Sequence, residues 1–190
     1  RRHGACTVEA TAELVRYRAA DGAVAECHVP FPPLPPQRPY EERLIAHALA
    51  ERRVGVLLVR LGGYAAGVFE GARLVAAKVG SRPVHGRSAA GGWSQQRFAR
   101  HREKQAREAL AAAADTAARV LGPQRLDAVV FGGDRRAVDA LRGDPRLTRL
   151  FALEAPPFLT VPNPRAAVLK DAPRLFRAVR IRLVEPPCVH

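Results

Sequence analysis

The chain has 190 residues and a mass of 20.6 kDa, which suffices for one hydrophobic core with a small additional part and excludes a large multidomain enzyme. Its 47% hydrophobic and 26% charged residues are typical of a folded protein and exclude general disorder. The 31 basic residues exceed the 18 acidic ones by 13, an excess that indicates a polyanionic partner.

The positive charge is concentrated in one window of the sequence. The net charge is +3 over residues 1–81, +6 over residues 82–107 and +4 over residues 108–190. A compositional preference for arginine would spread the charge evenly, whereas a phosphate-binding site concentrates it. The middle window therefore predicts a nucleic-acid contact.

The sequence excludes a membrane-spanning protein and a disulfide-rich protein. No apolar stretch approaches the roughly 18 residues that a membrane-spanning helix requires. Three scattered cysteines do not form a disulfide framework. We therefore expect a cytoplasmic protein without a membrane contact.

The first part of the chain has the pattern of a β-hairpin followed by a connector. Residues 7–18 and 23–29 favour strands, with a turn at Asp21 and Gly22 between them. Six prolines between residues 30 and 39 favour an extended, semi-rigid segment. We expect a domain boundary there, with residues 1–39 forming the hairpin and connector and residues 40–190 the main domain.

The main domain has the element order of a mixed sheet with flanking helices. A helix near residues 40–53 precedes three short β-type runs. A long stretch that contains neither glycine nor proline then predicts a helix over residues 94–121. A strand over residues 126–131, a helix over 134–142 and a strand over 179–184 follow. The order predicts an α/β fold with an α+β mixed sheet of the ribonuclease H-like architecture, to which the N-terminal β-hairpin is an appendage.

The loop before the long helix has features suited to a phosphate-flanked target. Adjacent Gly91 and Gly92 allow close approach of the main chain to a ligand, and Ser94 is a good N-cap. Trp93 is a candidate for stacking on a base or for packing back on the domain. We place the catalytic loop at residues 80–96. The basic side chains expected to contact RNA are Arg82, Arg87, Arg97, Arg100, Arg102, Lys104 and Arg107.

The run from Gly91 to Lys104 resembles a known family. It is similar to the GGQ loop and basic helix of eukaryotic and archaeal class-one peptide release factors, in which GGQS precedes an RFAR-type helix. It is more similar to the Vms-like release-factor domains, in which a GSQ-type motif replaces GGQ, and in particular to actinobacterial members with a GGWSQQ loop. The resemblance covers about residues 41–185 and implies the release-factor middle-domain fold.

The resemblance implies a peptidyl-tRNA hydrolase that acts in ribosome rescue and ribosome quality control. Alignment on Arg97 and Phe98 places Trp93 where the release factors have the catalytic glutamine, so Gln95, or otherwise Gln96, is the implied catalytic amide. A glutamine amide does not titrate near neutrality but positions a water through hydrogen bonds. The implied partners are the large ribosomal subunit, ribosomal RNA and peptidyl-tRNA, with a monomeric protein and neither metal nor other cofactor.

Two alternatives to ester hydrolysis stay open on the same scaffold. One is a non-catalytic module that binds ribosomal RNA or tRNA. The second is cleavage of the tRNA near its 3′ end without a metal.

Three further chemistries have weaker support. A metal-dependent nuclease needs converging carboxylates, and only Asp127 and Asp134 flank the later strand. Ser94 with His85 or His101 lacks an orienting acid, so capping is the better role for Ser94. A zinc site has no CxxC pair to support it. Its candidate ligands would be Cys6, Cys27, His28, Cys188 and His190.

Overall fold

A computed structural model describes residues 3–37, 39–60, 62–81 and 94–185, with the backbone alone described for residues 94–99, 101 and 102. It contains eight strands, five α-helices and a short 3-10 helix in this part of the chain. The strands are β1 (Cys6–Ala10), β2 (Leu14–Ala19), β3 (Val24–His28), β4 (Arg53–Arg60), β5 (Gly63–Glu70), β6 (Arg73–Ser81), β7 (Ala128–Gly133) and β8 (Arg180–Val184). The helices are α1 (Tyr40–Leu49), α2 (Ser94–Val120), α3 (Arg135–Leu141), the 3-10 helix Pro145–Leu147, α4 (Thr148–Ala152) and α5 (Ala166–Phe176).

The strands form two separate four-stranded sheets. One sheet has the order β6-β5-β4-β7, in which β4 pairs antiparallel with β5 and parallel with β7. This is the mixed sheet that the sequence predicts, and the α+β fold class is confirmed. The second sheet, β1-β2-β3-β8, is antiparallel throughout.

The mixed sheet carries helices on both faces. Strand β4 is buried from Val54 to Val59, as expected for a nearly continuous run of Val and Leu at the centre of a sheet. On one face Leu57 and Val59 belong to the same buried cluster as residues of α2 and α3. On the opposite face Leu169 of α5 packs against Gly67 of β5, where a Cβ atom would lie 3.0 Å from the leucine side chain.

The N-terminal sheet differs from the predicted hairpin. The stretch expected as one strand over residues 7–18 is divided by a turn, because the Thr11 hydroxyl accepts hydrogen bonds from the backbone N–H groups of Glu13 and Leu14. Strand β8, expected in the mixed sheet, instead pairs with β3, with Cys27 opposite Ile181. The appendage is therefore a four-stranded sheet rather than a hairpin.

The chain divides into two units at other positions than the proline-rich segment, where the sequence predicts a domain boundary. The chain forms two compact units, one made of residues 1–51 and 176–190 and the other of residues 52–175. Helix α1 belongs to the first unit, because Leu44 is buried in a cluster with Val15 and Leu34. The C-terminal residues return to that unit through β8.

None of the helices in the described part of the chain combines the length and the apolar character needed to cross a bilayer.

Candidate functional site

Helix α2 is longer than the sheet that supports it. Its 27 residues span about 40 Å at 1.5 Å per residue, whereas the eight residues of β4 span about 27 Å. The C-terminal part of the helix is anchored near the start of β4, where Leu121 packs over Gly55. The N-terminal part therefore extends past the end of the sheet at which β4 and β7 finish, called here the carboxyl end of the mixed sheet.

The burial pattern of α2 confirms this projection. Side chains on the sheet-facing side are buried from Ala109 onward, including Ala113 and Ala117. Between Arg100 and Glu108, none of the side chains that the structure describes is buried. The described side chains from Arg100 to Glu108 therefore lie on a part of the helix that the sheet does not cover. The backbone of α2 begins at residue 94, about 22 Å before Ala109, and this first half of the helix is called here the stalk.

The candidate catalytic amides lie at the far end of this stalk. Gln95 and Gln96 are in the first turn of α2 by their backbone, and Ser94 is its first residue. The expected loop over residues 80–96 is shorter at both ends, because β6 continues to Ser81 and the helix begins at Ser94. The segment 94–121 contains no glycine or proline, so nothing interrupts the helix once it has begun.

The remaining loop residues lie outside the described part of the chain. These are Arg82, Arg87, Gly91, Gly92 and Trp93. Arg97 and Arg102 are placed on the helix by their backbone alone.

Three basic side chains of the stalk are exposed on one side of the helix. Arg100, Lys104 and Arg107 are spaced four and three residues apart, which places them on neighbouring turns of the same side. Glu108 approaches Lys104 at 4.0 Å between Nζ and Oε1, an exposed pair of little energetic weight. This stripe of positive charge is available to phosphate groups.

The strand that leads into the loop is held by an aromatic side chain. Tyr64 of β5 pairs with Gly80 of β6, and a Cβ atom at Gly80 would lie 2.5 Å from the phenol oxygen and Cζ of Tyr64. The tyrosine ring therefore covers the glycine backbone, a cross-strand arrangement that fixes the base of the loop.

Helix α3 begins at the same carboxyl end of the sheet. Gly133 closes β7 with a φ of +99°, a conformation that favours glycine, and Asp134 caps α3 by accepting a hydrogen bond from the Arg136 N–H at 2.9 Å. The guanidinium of Arg135 lies 4.3 Å from the centre of the Phe158 ring. Arg135 and Arg136 are both exposed. They lie outside the charged window of residues 82–107. The sequence signal that could have identified them is a pair of arginines directly after a buried strand.

One ion pair connects the C-terminal half of α2 to the segment after α3. Asp115 accepts a hydrogen bond from Arg146 at 2.6 Å, and Arg146 also binds Asp144. The hydrogen bond from Arg146 lowers the pKa of the Asp144 carboxyl, and the same pairing raises the pKa of Arg146. These contacts fix the side of α2 that faces the segment after α3.

The two carboxylates of the metal-dependent nuclease hypothesis do not converge. Asp127 accepts a hydrogen bond from the Arg53 N–H at 2.7 Å, before the first residue of β7. Asp134 follows the last residue of that six-residue strand, so about 20 Å of strand separates the two side chains. A magnesium site that uses both is excluded by this distance.

The zinc-site and serine-nucleophile hypotheses depend partly on residues that the structure does not describe. No cluster of three potential metal ligands occurs among the described residues, where Cys6 and Cys27 are free thiols. Cys188, His190 and His85 lie outside that part, as does the side chain of His101.

Two solved archaeal structures were compared with the chain. A crystal structure of the archaeal translation termination factor aRF1 matches with 17% identity and a TM-score of 0.44, covering 82% of this chain and 47% of that one. A structure described as an archaeal protein matches with 20% identity and a TM-score of 0.37, covering 82% of this chain and 48% of that one. The chain thus spans about half the length of each.

No curated protein sequence matches the chain. The sequence model of the Actinobacteria/chloroflexi VLRF1 release factor family matches residues 52–182. This range contains the mixed sheet, the projecting helix and the residues at the carboxyl end of the sheet. The chain belongs to the Actinobacteria/chloroflexi VLRF1 release factor family.

Proposed function

We propose that the protein is a ribosome-rescue factor that hydrolyses peptidyl-tRNA on stalled large ribosomal subunits. The observation that carries the proposal is the position of Gln95 and Gln96 in the first turn of α2, at the tip of a stalk of about 22 Å. The exposed stripe of Arg100, Lys104 and Arg107 lies along that stalk. In this proposal the stalk carries a neutral amide at its end, on a support whose charge suits RNA.

In the proposed reaction, the Gln95 amide positions a water against the ester that joins the nascent peptide to the terminal ribose of the tRNA. The water oxygen bonds to the ester carbonyl carbon, the bond to the ribose oxygen breaks, and a water proton passes to that oxygen. The amide holds the water through hydrogen bonds and takes up no proton, because glutamine does not titrate near neutrality. Its contribution is orientation, for which a displacement of about 1 Å can cost about 100-fold in rate.

The basic stripe supplies the binding that brings the tip to its target. RNA-bound counterions are released when arginine and lysine side chains neutralise phosphates, so affinity falls steeply as salt rises. The same stripe would serve a module that binds ribosomal RNA without catalysis. The two functions differ only in whether the amide at the tip positions a water that hydrolyses the ester.

The test is release of a labelled peptide from stalled peptidyl-tRNA complexes on large subunits. We expect Gln95→Ala to lower the single-turnover release rate by about 100-fold while the complex still forms. Gln105→Ala, an amide substitution on the same helix within the stalk, is the matched control and should keep the wild-type rate. Wild-type release by Gln95→Ala, by Gln96→Ala and by the double variant would refute the catalytic assignment.

Two further readouts separate ester hydrolysis from simple RNA binding and from RNA cleavage. Co-sedimentation of the wild-type protein with subunits but no peptide release would identify a binding module. Mapping of the tRNA 3′ end after release distinguishes ester hydrolysis, which leaves the terminal nucleotides intact, from cleavage of the RNA.

A further inference from the structure

The arginine side chains that the structure describes in the unit formed by residues 52–175 fall into two groups. Most that lie along the sheet and its covering helices bind carboxylates or carbonyl oxygens. Arg53 and Arg73 bind Glu70, while Arg142 binds both Asp139 and Glu154. Such guanidinium groups are already neutralised within the protein and offer little to an external phosphate.

Arg135 and Arg136 belong to the second group. Within the described part of the chain, neither forms an ion pair, although both are exposed. The nearest acid in sequence, Asp134, uses its carboxylate to cap the helix backbone at Arg136 N–H. Asp139, one turn further along α3, accepts a hydrogen bond from Arg142 at 3.1 Å. Neither guanidinium therefore forms an ion pair with these two flanking carboxylates.

The two arginines face the same region as the basic stripe of α2. Helices α2 and α3 lie on one face of the mixed sheet, and Ala114 and Val138 share its buried cluster. Arg107 precedes Ala114 by seven residues, nearly two full helical turns, so it lies on the same side of α2 as that alanine. Lys104 precedes Asp115 by eleven residues, or about three turns, and Asp115 is bound by Arg146 from the segment after α3.

The start of α3 and the stalk of α2 therefore border the same space at the carboxyl end of the sheet. Parallel strand β7 ends there and passes directly into α3, while α2 extends beyond that end. Arg135 is also held in place, because its guanidinium lies over the Phe158 ring, while the residue remains exposed. A guanidinium ordered in this way loses less freedom when it binds a phosphate.

We propose that Arg135 and Arg136 form a second RNA-phosphate contact, which extends the stripe of Arg100, Lys104 and Arg107 into one continuous RNA-binding surface. The inference rests on the proposed function, since it assigns the same polyanionic partner to a further part of the protein. Two separate elements that contact the phosphate backbone fix the orientation of the protein on RNA, which a single helix does not. Orientation is what a projecting amide needs in order to reach one ester.

The test is the salt dependence of binding between the full chain and purified large ribosomal subunits. Wild-type affinity should fall linearly with the logarithm of salt concentration, with a slope set by the number of phosphate contacts. The double variant Arg135→Gln, Arg136→Gln should bind about tenfold more weakly near 0.1 M salt, with a slope shallower by about 1.5. Arg136→Lys, which keeps the charge, should retain the wild-type slope.

Arg125→Gln is the matched control. Arg125 is exposed, forms no ion pair among the described residues, and lies just before β7, at the opposite end of the strand from Arg135. Its substitution should change neither slope nor affinity. Urea unfolding of each variant, together with the single variant Arg136→Gln, verifies that the fold is retained.

The outcomes separate this inference from the function on which it rests. If the wild-type protein fails to bind subunits, or binds without salt dependence, the proposed function fails and the inference with it. If Arg100→Gln and Arg107→Gln flatten the slope while the Arg135/Arg136 double variant matches the wild type, the inference alone is overturned. A slope reduced as much by Arg125→Gln as by the single variant Arg136→Gln would also overturn it, because each removes one charge and the effect would then reflect net charge rather than position.

Discussion

Arg53 at one end of the mixed sheet and the pair Arg135 and Arg136 at the other have different surroundings. At the end where β4 and β7 begin, Arg53 donates to Glu70 at 2.6 Å and to the side chain of Gln124 at 2.7 Å. At the carboxyl end, Arg135 and Arg136 have no carboxylate partner in the described part of the chain. Arg53 thus connects the elements at one end, whereas Arg135 and Arg136 are presented to solvent at the other.

The difference follows from what surrounds each end. The end where β4 and β7 begin brings together Arg53 at the start of β4, Glu70 at the end of β5 and Gln124 before β7. The planar guanidinium of Arg53 has five donors and therefore binds both acceptors at once. At the carboxyl end the chain leaves the sheet through glycines, at Gly80 and Gly133, where backbone and ring packing replace side-chain ion pairs. We expect stability to depend on the first end and RNA affinity on the second.

The largest effect should come from Arg53→Ala. The substitution removes one of the two guanidinium groups that bind Glu70 and the guanidinium that binds Gln124. Losing a charge-assisted hydrogen bond costs about 1 to 3 kcal/mol in the free energy of unfolding. Urea unfolding measures this change. Affinity for large subunits should stay at the wild-type value.

Arg73→Ala is the matched control for that experiment. Arg73 binds the same carboxylate but its side chain is 72% exposed, so its loss should cost less than about 1 kcal/mol. The contrast between the two ends would fail if Arg53→Ala weakened RNA binding without changing stability.

A smaller effect is expected at Gly80, where the carboxyl end depends on packing. Gly80→Ala should force the Tyr64 ring to move and cost about 1 kcal/mol in the free energy of unfolding. A double-mutant cycle with Tyr64→Ala measures the coupling, because removal of the ring makes room for the new methyl group. Additive losses in the cycle would show that the ring does not constrain Gly80.

The sequence is most informative where pattern and structure are both local. The period of α2, bounded by a glycine-rich stretch before and Gly122 after, predicts a helix over residues 94–121, one residue longer than observed. The three strands β4 to β6 follow from hydrophobic runs separated by glycine turns at Gly62 and Gly71. Both are cases in which neighbouring residues alone determine the conformation.

Long-range pairing is less predictable. Strand β8 has the alternation of a strand, yet nothing in residues 180–184 specifies β3 as its partner, more than 150 residues earlier in the chain. Helix α5 is not predicted by the sequence pattern; it contains Pro173, which ordinarily ends a helix, and it continues to Phe176 in a tightly packed environment. In both cases tertiary packing decides between conformations that local sequence leaves open.

The candidate site shows the same division. The charge window identifies the stripe on α2, because its members are close in sequence and a helix keeps them close in space. Arg135 and Arg136 lie outside it because they are about 30 residues further along the chain, in a region whose net charge is modest. Only the arrangement of α2 and α3 on one face of the sheet brings them to the same end.

The smallest effect should come from Asp144→Asn. This variant tests whether the stability that an arginine contributes through an ion pair depends on pH, in contrast to an arginine without a carboxylate partner. The hydrogen bond from Arg146 lowers the pKa of Asp144 in the folded state below its ordinary value of 3.8. The stabilisation is therefore complete above about pH 4 and is lost as the pH falls through the folded-state pKa, because the unfolded chain binds the proton more readily. The urea midpoint of the variant should lie slightly below that of the wild type at pH 7, and the two should converge once the pH is below the folded-state pKa of Asp144.

Arg136→Gln provides the comparison, since no described carboxylate loses a partner when that charge is removed. Its midpoint should follow the wild-type curve at every pH. A gap between Asp144→Asn and the wild type that persisted at low pH would mean that the charge of Asp144 does not account for its effect on stability. An Asn at this position can still accept from Arg146 N–H, as Asp144 does at 3.0 Å, so loss of the cap would not explain the gap. That result would remove the distinction in charge pairing at this position.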